Sequence, residues 1–170
     1  MIQKTAYLTI LMLSLLLMWP GGTHAQAEKG SVHIRSTAVV VGDIELETVK
    51  DLAFQQNTIT DSTVYIDPVH DYRAGELKAY GVAGATFRVT FLKDMTLYHA
   101  STPDSLQVSY EVTGYPENEQ QVSKPLDALG HELRLNEEGE FYFWVGGTVQ
   151  IGKVSDGKYN GAFTLEVEYN

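Results

Sequence analysis

The chain has 170 residues, contains no cysteine, and carries 22 acidic against 12 basic residues, which gives a formal net charge of −10. Without cysteine it can form neither disulfides nor zinc-thiolate sites, and it has no thiol nucleophile. The negative charge opposes binding to nucleic acid or to an anionic membrane surface. We therefore expect no nucleic acid among its partners.

The first 25 residues have the layout of a secretory signal peptide. Lys4 precedes an uncharged run from Ala6 to Trp19, and Thr23-His24-Ala25 offers a small-residue cleavage site, with a second one at Ala27. The apolar run is shorter than the roughly 20 residues that a membrane-spanning helix needs. We expect export, removal of residues 1–25, and a single mature domain over residues 26–170 with no membrane span.

Short strands are predicted throughout the first half of the mature chain. Residues Val32–Val41 are rich in β-branched side chains and form a first strand or an extended arm. The alternation in residues 44–54 shifts register part-way, which suggests a bulge or a short break. The glycine-containing segment 69–84 allows a short helical turn around Gly75–Tyr80. Further strands are expected at Thr63–Asp67, Ala85–Phe91 and Leu106–Val112, with polar turns at Gly42–Asp43 and Gln55–Ser62.

The second half continues the same pattern. A polar loop is predicted over Tyr115–Lys124, and Leu126–Leu135 has room for one more short strand. Glu140–Val145 alternates cleanly, and we expect Gly146-Gly147 to interrupt it before Thr148–Ile151 resumes. Short strands separated by Gly, Asp and Asn turns predict an all-β protein, an antiparallel β-sandwich of immunoglobulin-like or pilin-like form.

The last fourteen residues, Gly157–Asn170, organise the predicted fold. Their odd positions from Tyr159 to Tyr169 are apolar, aromatic or glycine, and their even positions are mostly polar. Because a strand sends alternate side chains to opposite faces, this pattern predicts a long strand with one buried face. The predicted core joins it to the other strands through Phe54, Phe87, Val89, Phe91, Val108, Tyr110, Phe141, Phe143, Phe163, Leu165 and Val167.

Three blocks of the sequence resemble the bacterial domain-of-unknown-function family 4402, which occurs in exported proteins. The blocks are Asp51–Phe54 followed by Val64–Pro68, then Ala85–Thr90, and then Gly139–Val149 followed by Gly157–Gly161 and the last strand. Two turns depart from the family pattern, since Gln55 and Phe91 stand where glycine is expected. The resemblance implies a secreted β-sandwich and supplies no catalytic residues.

The end of the chain also resembles chaperone–usher pilin subunits. Those proteins close with an alternating apolar strand, a penultimate aromatic residue and a glycine fourteen residues from the end, and Tyr169 and Gly157 stand at these places. The resemblance implies a sandwich that lacks a strand, which the N-terminal arm of a neighbouring subunit fills. The corresponding assembly strand here comprises Gly157, Phe163, Leu165, Val167 and Tyr169, and Val32–Val41 corresponds to the arm. We expect the arm to pair within its own domain, and strand exchange is the alternative.

Catalytic and metal-binding patterns are weak in this sequence. It has no G-x-S-x-G turn, and the histidines of the mature chain are isolated from one another. The loop from Asp67 to Asp71 holds two carboxylates and His70, but their spacing matches no known metal site, and Asp before Pro commonly starts a turn. We therefore expect no enzyme activity, no cofactor and no metal.

Tyr142 and Trp144 lie on the face of their strand opposite Phe141 and Phe143. If these side chains are exposed, they form an aromatic platform on which a sugar could stack. If they are covered, they belong to the ordinary packing of an inner strand. The sequence therefore predicts an exported, non-catalytic structural or adhesive subunit of the cell surface or periplasm, with other protein subunits as partners. The alternative is a carbohydrate-binding module with surface glycans as ligands.

Overall fold

The computed structural model describes residues 31–41, 44–55, 63–151, 154–155 and 157–169. The predicted signal peptide, the Gly42–Asp43 turn and nearly all of the Gln55–Ser62 turn lie outside these residues. The described chain forms twelve strands and one 3-10 turn, Gln120–Val122. The strands are β1 (Ser31–Val41), β2 (Glu45–Lys50), β3 (Leu52–Gln55), β4 (Thr63–Ile66), β5 (Gly75–Tyr80), β6 (Thr86–Phe91), β7 (Asp94–His99), β8 (Ser105–Tyr115), β9 (Lys124–Pro125), β10 (His131–Arg134), β11 (Glu140–Gln150) and β12 (Lys158–Tyr169).

The strands form two layers, which confirms the predicted all-β sandwich. One layer has the order β3-β1-β12-β6-β10, and the other has β8-β11-β5-β2, with β4 beside β11 and β9 beside β8. β7 joins the layers, because it pairs with both β12 and β8. All described pairings are antiparallel except that of β1 with β12.

The core lies between the layers and follows the predicted alternation. In β12, Tyr159, Phe163, Leu165 and Val167 are buried, and the residues between them are exposed or half-buried. Aromatic rings connect the two layers: Phe163 of β12 lies 4.7 Å from Tyr110 of β8, measured between ring centroids. All eleven residues of the predicted core are buried.

The prediction of a helical turn around Gly75–Tyr80 is wrong. These residues form β5, which lies between β2 and β11 in the middle of its layer. Its buried residues are Gly75, Leu77 and Ala79, and two of these are too small to give a clear apolar signal. A Cβ built on Gly75 would lie about 3.1 Å from Leu52 of β3, so close packing against β3 favours a small residue at this position. The apolar alternation of β5 was therefore too weak to predict a strand.

Gly146-Gly147 does not interrupt the strand that contains it. β11 runs without a break from Glu140 to Gln150 and pairs with β8 through both glycines. A Cβ on Gly146 would overlap the Ile66 carbonyl of β4, and one on Gly147, whose φ is +137°, would overlap the Ser109 carbonyl of β8. The glycines therefore permit neighbouring backbones to approach closely.

The predicted break after β2 is confirmed. The pairing of β2 with β5 shifts register between Thr48 and Lys50, and the chain then leaves this layer at Asp51. Residues 52–55 continue as β3 in the opposite layer, where they pair with β1. One irregularity thus carries the chain across the sandwich.

Candidate functional site

The most distinctive feature of the fold is the position of its two terminal strands. β12 is the middle strand of its layer, with β6 and β7 along one side and β1 along the other. β1 runs parallel to β12 over eleven residue pairs, from Ser31 opposite Lys158 to Val41 opposite Glu168. On its far side β1 pairs with β3. We call the space between β12 and β3, which β1 fills in this structure, the terminal-strand slot.

The residues predicted for the assembly strand lie in or beside this slot. Phe163, Leu165 and Val167 are buried in the core, with at most 1% of each exposed. Tyr169 is half-buried, and its hydroxyl accepts a hydrogen bond from the backbone N–H of Val82 at 2.9 Å. The inner face of β12 is therefore buried in the core, and one of its edges pairs with β1.

Gly157 has a structural reason to be glycine. Its φ is +148°, a conformation that side chains rarely tolerate, and a Cβ there would overlap the imidazole of His99. The same imidazole packs edge-on against Tyr159, with 4.9 Å between ring centroids. Its Nδ1 accepts hydrogen bonds from the backbone N–H groups of Ser101 and Thr102. Gly157 thus allows the chain to pass close to the His99 ring just before β12 begins.

The aromatic pair Tyr142 and Trp144 is buried. Trp144 is 1% exposed and Tyr142 9%, and their rings stack at 6.3 Å with an interplanar angle of 19°. Thr113 of β8 is the register partner of Trp144, and its hydroxyl accepts a hydrogen bond from the Ser123 hydroxyl in the segment that follows β8. The rings are therefore covered in this structure and offer no open face on which a sugar could stack.

A polar network that the sequence did not reveal surrounds Tyr142. The Lys78 ammonium lies 2.7 Å from a carboxylate oxygen of Glu140, and the Tyr142 hydroxyl donates to the other oxygen, also at 2.7 Å. Lys78 also lies over the rings of Tyr80 and Tyr142, at 4.5 and 5.1 Å from the centroids. The hydrogen bond between Lys78 and Glu140 lowers the pKa of Glu140 and raises the pKa of Lys78. The network holds β5 to β11 on the outer face.

The 67–73 loop uses its charges internally. The Asp67 carboxylate accepts the Val69 backbone N–H and contacts His70 Nδ1 at 3.0 Å, and both contacts lower its pKa. Asp71 pairs with the Arg73 guanidinium, which lowers the pKa of Asp71. No group of three His, Asp or Glu side chains in the described part of the chain is arranged to hold a metal ion. The loop is therefore held by the Asp71–Arg73 ion pair and by the hydrogen bonds of the Asp67 carboxylate.

No protein-family model matches the chain, and no curated protein matches it. In the residues that the structure describes, no helix has the length and apolar character needed to cross a membrane.

Proposed function

We propose that the protein is an exported, non-catalytic β-sandwich subunit with a structural or adhesive role at the cell surface or in the periplasm. The single observation that carries this proposal is the terminal-strand slot, in which an N-terminal strand lies between the last strand and β3. A strand inserted in this way contributes backbone hydrogen bonds on both of its edges, which is how strand addition joins protein subunits.

The chemistry of the described polar residues supports a structural role. Glu140 and Lys78 on the sheet surface and Asp71 in the 67–73 loop have shifted pKa values, and each of these groups has a charged partner within the fold. Such pairs hold strands and loops together, and they leave these charges engaged rather than poised for proton transfer.

The sequence resemblances point the same way. Resemblance to the exported family 4402 suggests a secreted sandwich, and resemblance of the last strand to pilin subunits suggests assembly. The first resemblance rests on the three sequence blocks given above, and the second rests on Gly157 and the alternation up to Tyr169. The signal-peptide pattern of residues 1–25 supports export.

The terminal-strand slot can be filled by the chain's own arm or by the arm of another copy. In the structure of the single chain, β1 fills the slot of its own domain. We propose this self-complete sandwich as the state of the isolated subunit, and strand exchange between copies is the alternative. The covered pair of Tyr142 and Trp144 gives the carbohydrate-binding alternative no open platform.

Cell fractionation tests the proposal. The protein is expressed in a bacterial host, the cytoplasmic, periplasmic and surface fractions are probed with an antibody, and each fraction is chemically cross-linked. Mass spectrometry reads the N-terminus. We expect a mature protein beginning near Gln26, outside the cytoplasm, cross-linked to other protein chains. Cytoplasmic protein that retains Met1 would contradict export, and an exported protein without cross-linked partners would contradict the subunit role.

A further inference from the structure

Tyr72 is the most exposed aromatic residue in the part of the chain that the structure describes. It is 83% exposed, and the next, Tyr98, is 66% exposed. Tyr72 belongs to the 67–73 loop, which connects β4 and β5 in the layer opposite the terminal-strand slot. A single exposed apolar side chain needs no functional explanation. The surroundings of Tyr72 therefore decide whether it belongs to a binding site.

The backbone that carries Tyr72 is held by distant parts of the chain. The Lys50 ammonium, at the end of β2, donates to the Tyr72 carbonyl at 2.9 Å. The Gln120 amide donates to the carbonyls of Pro68 and Asp71, at 2.9 and 3.0 Å. These bonds fix the loop from both sides. A side chain presented by a fixed backbone loses less conformational freedom on binding than one on a loose loop.

Tyr72 lines a shallow depression of about 580 Å³ together with oriented polar groups. The other lining residues are Asp67, His70, Asp71 and Arg73. The Asp67 carboxylate lies 3.0 Å from His70 Nδ1, and the Asp71 carboxylate accepts from Arg73 Nε at 3.0 Å. The imidazole and guanidinium planes are thus set by their partners, while 71% of the His70 side chain and 33% of the Arg73 side chain are exposed. Both groups, and the carboxylate oxygens, have further hydrogen-bonding capacity.

The charges of the depression favour a neutral ligand. Asp71 and Arg73 neutralise each other, and Asp67 accepts the Val69 backbone N–H. Two carboxylates repel an anion, and a cation would have to compete with Arg73 for Asp71. A neutral ligand that satisfies directional donors and acceptors carries several hydroxyl groups, and one that covers an exposed ring has an apolar face. A pyranose sugar has both, since its C–H groups form a face and its hydroxyls lie around the edge.

We propose that the 67–73 loop binds a neutral sugar unit of an oligosaccharide, with the pyranose stacked on the Tyr72 ring and its hydroxyls bonded to Asp67, His70 and Arg73. This site is separate from the buried pair of Tyr142 and Trp144. It uses no residue of the terminal-strand slot, so its failure would leave the proposed subunit role untouched.

Biolayer interferometry with immobilised oligosaccharides tests the proposal. Four neutral probes are built from glucose, galactose, mannose and N-acetylglucosamine, and sialyllactose is the anionic comparison. We expect binding to at least one neutral probe and none to sialyllactose. Because no ion pair forms, the affinity should be nearly the same at about 50 and 500 mM salt. Absence of binding to all four neutral probes, or a preference for sialyllactose, would overturn the proposal.

Three variants assign the site. Tyr72→Ala should weaken binding about tenfold, because the stacked ring is lost. Tyr72→Phe, which keeps the ring, should bind nearly as well as the wild type. Tyr98→Ala removes an exposed tyrosine from β7, outside the depression, and should leave binding unchanged. Thermal unfolding should show the same melting temperature for all of these proteins, since both rings are exposed and the Lys50 bond uses a backbone carbonyl. Unchanged binding in Tyr72→Ala, or an equal loss in Tyr98→Ala, would refute the assigned site.

Discussion

Phe163 shows most clearly how single residues hold the two layers together. It is 1% exposed, and its ring lies 4.7 Å from Tyr110 and 6.1 Å from Phe91, measured between centroids. It thus connects β12 to β8 across the core and to β6 within its own layer. Aromatic pairs at such distances add to the stabilisation that comes from burial alone.

Replacing Phe163 by Ala should lower the free energy of unfolding by about 3–5 kcal/mol, because burial is lost and a cavity remains. Urea denaturation followed by circular dichroism measures this loss. Tyr98→Ala is the matched control, since Tyr98 is 66% exposed on β7 and its removal should have little effect. A Phe163→Ala variant as stable as the wild type would contradict the core described above.

Gly157→Ala should destabilise the protein by about 1–3 kcal/mol, the usual effect of forcing a side chain into a strained backbone conformation. Overlap with the His99 ring should add to this loss. Lys158→Ala provides the control one residue away, at an exposed position. Thermal unfolding compares the three proteins, and equal melting temperatures for Gly157→Ala and Lys158→Ala would refute the assigned role of the glycine.

The Glu140–Lys78 pair predicts a specific pH dependence. Because the pKa of Glu140 is lower in the folded protein than its ordinary value, its stabilising effect is complete above the unfolded-state pKa and is lost as pH falls through the folded-state value. Glu140→Gln should therefore flatten the acid side of the stability curve. Urea midpoints measured between neutral and acid pH test this. Parallel curves for the variant and the wild type would show that the pair does not couple to folding.

At the scale of elements, the faces of strands could be predicted but their neighbours could not. Alternation alone placed the inner residues of β6, β8 and β12 correctly, because large apolar side chains occupy most of the alternate positions in each strand. β5 escaped detection because Gly75 and Ala79 occupy its buried face. Period-two patterns carry no information on pairing, so the parallel contact of β1 with β12 could not be deduced from them.

The surroundings of the candidate functional residues could likewise be predicted only in part. The buried positions of β12 were predicted, whereas the alternation of β11 could not decide whether Tyr142 and Trp144 are exposed or buried. The burial of that outer face depends on how distant parts of the chain pack, and no local pattern in β11 shows it.

Removal of residues 163–170 should prevent folding. This truncation takes away the pairing of β12 with β6 and most of its pairing with β1, together with Phe163, Leu165 and Val167 from the core. These losses exceed the usual total stability of about 5–15 kcal/mol. Proton NMR of the truncated protein should show the narrow amide dispersion of an unfolded chain, and a dispersed spectrum would mean that the core does not depend on this strand.

At the scale of the whole molecule, the sandwich is closed by its own N-terminal strand. Without β1, the edge of β12 would be open along eleven residues, and β3 would lose the partner that the structure gives it. Exposed edges of this kind are prone to pair with other chains. The central claim is therefore that β1 completes the sandwich within a single chain.

Disulfide trapping tests this claim most directly, because the protein has no cysteine of its own. Thr37 and Thr164 are register partners on β1 and β12. Neighbouring strands lie about 4.8 Å apart, which is within the range of Cα separations that a disulfide spans. The double variant Thr37→Cys with Thr164→Cys is oxidised at low concentration and analysed by non-reducing electrophoresis and peptide mass spectrometry. Thr37→Cys with Glu168→Cys, out of register, is the control. We predict an intrachain disulfide in the first pair only. Disulfides between chains, or free thiols in both variants, would contradict a sandwich completed by its own strand.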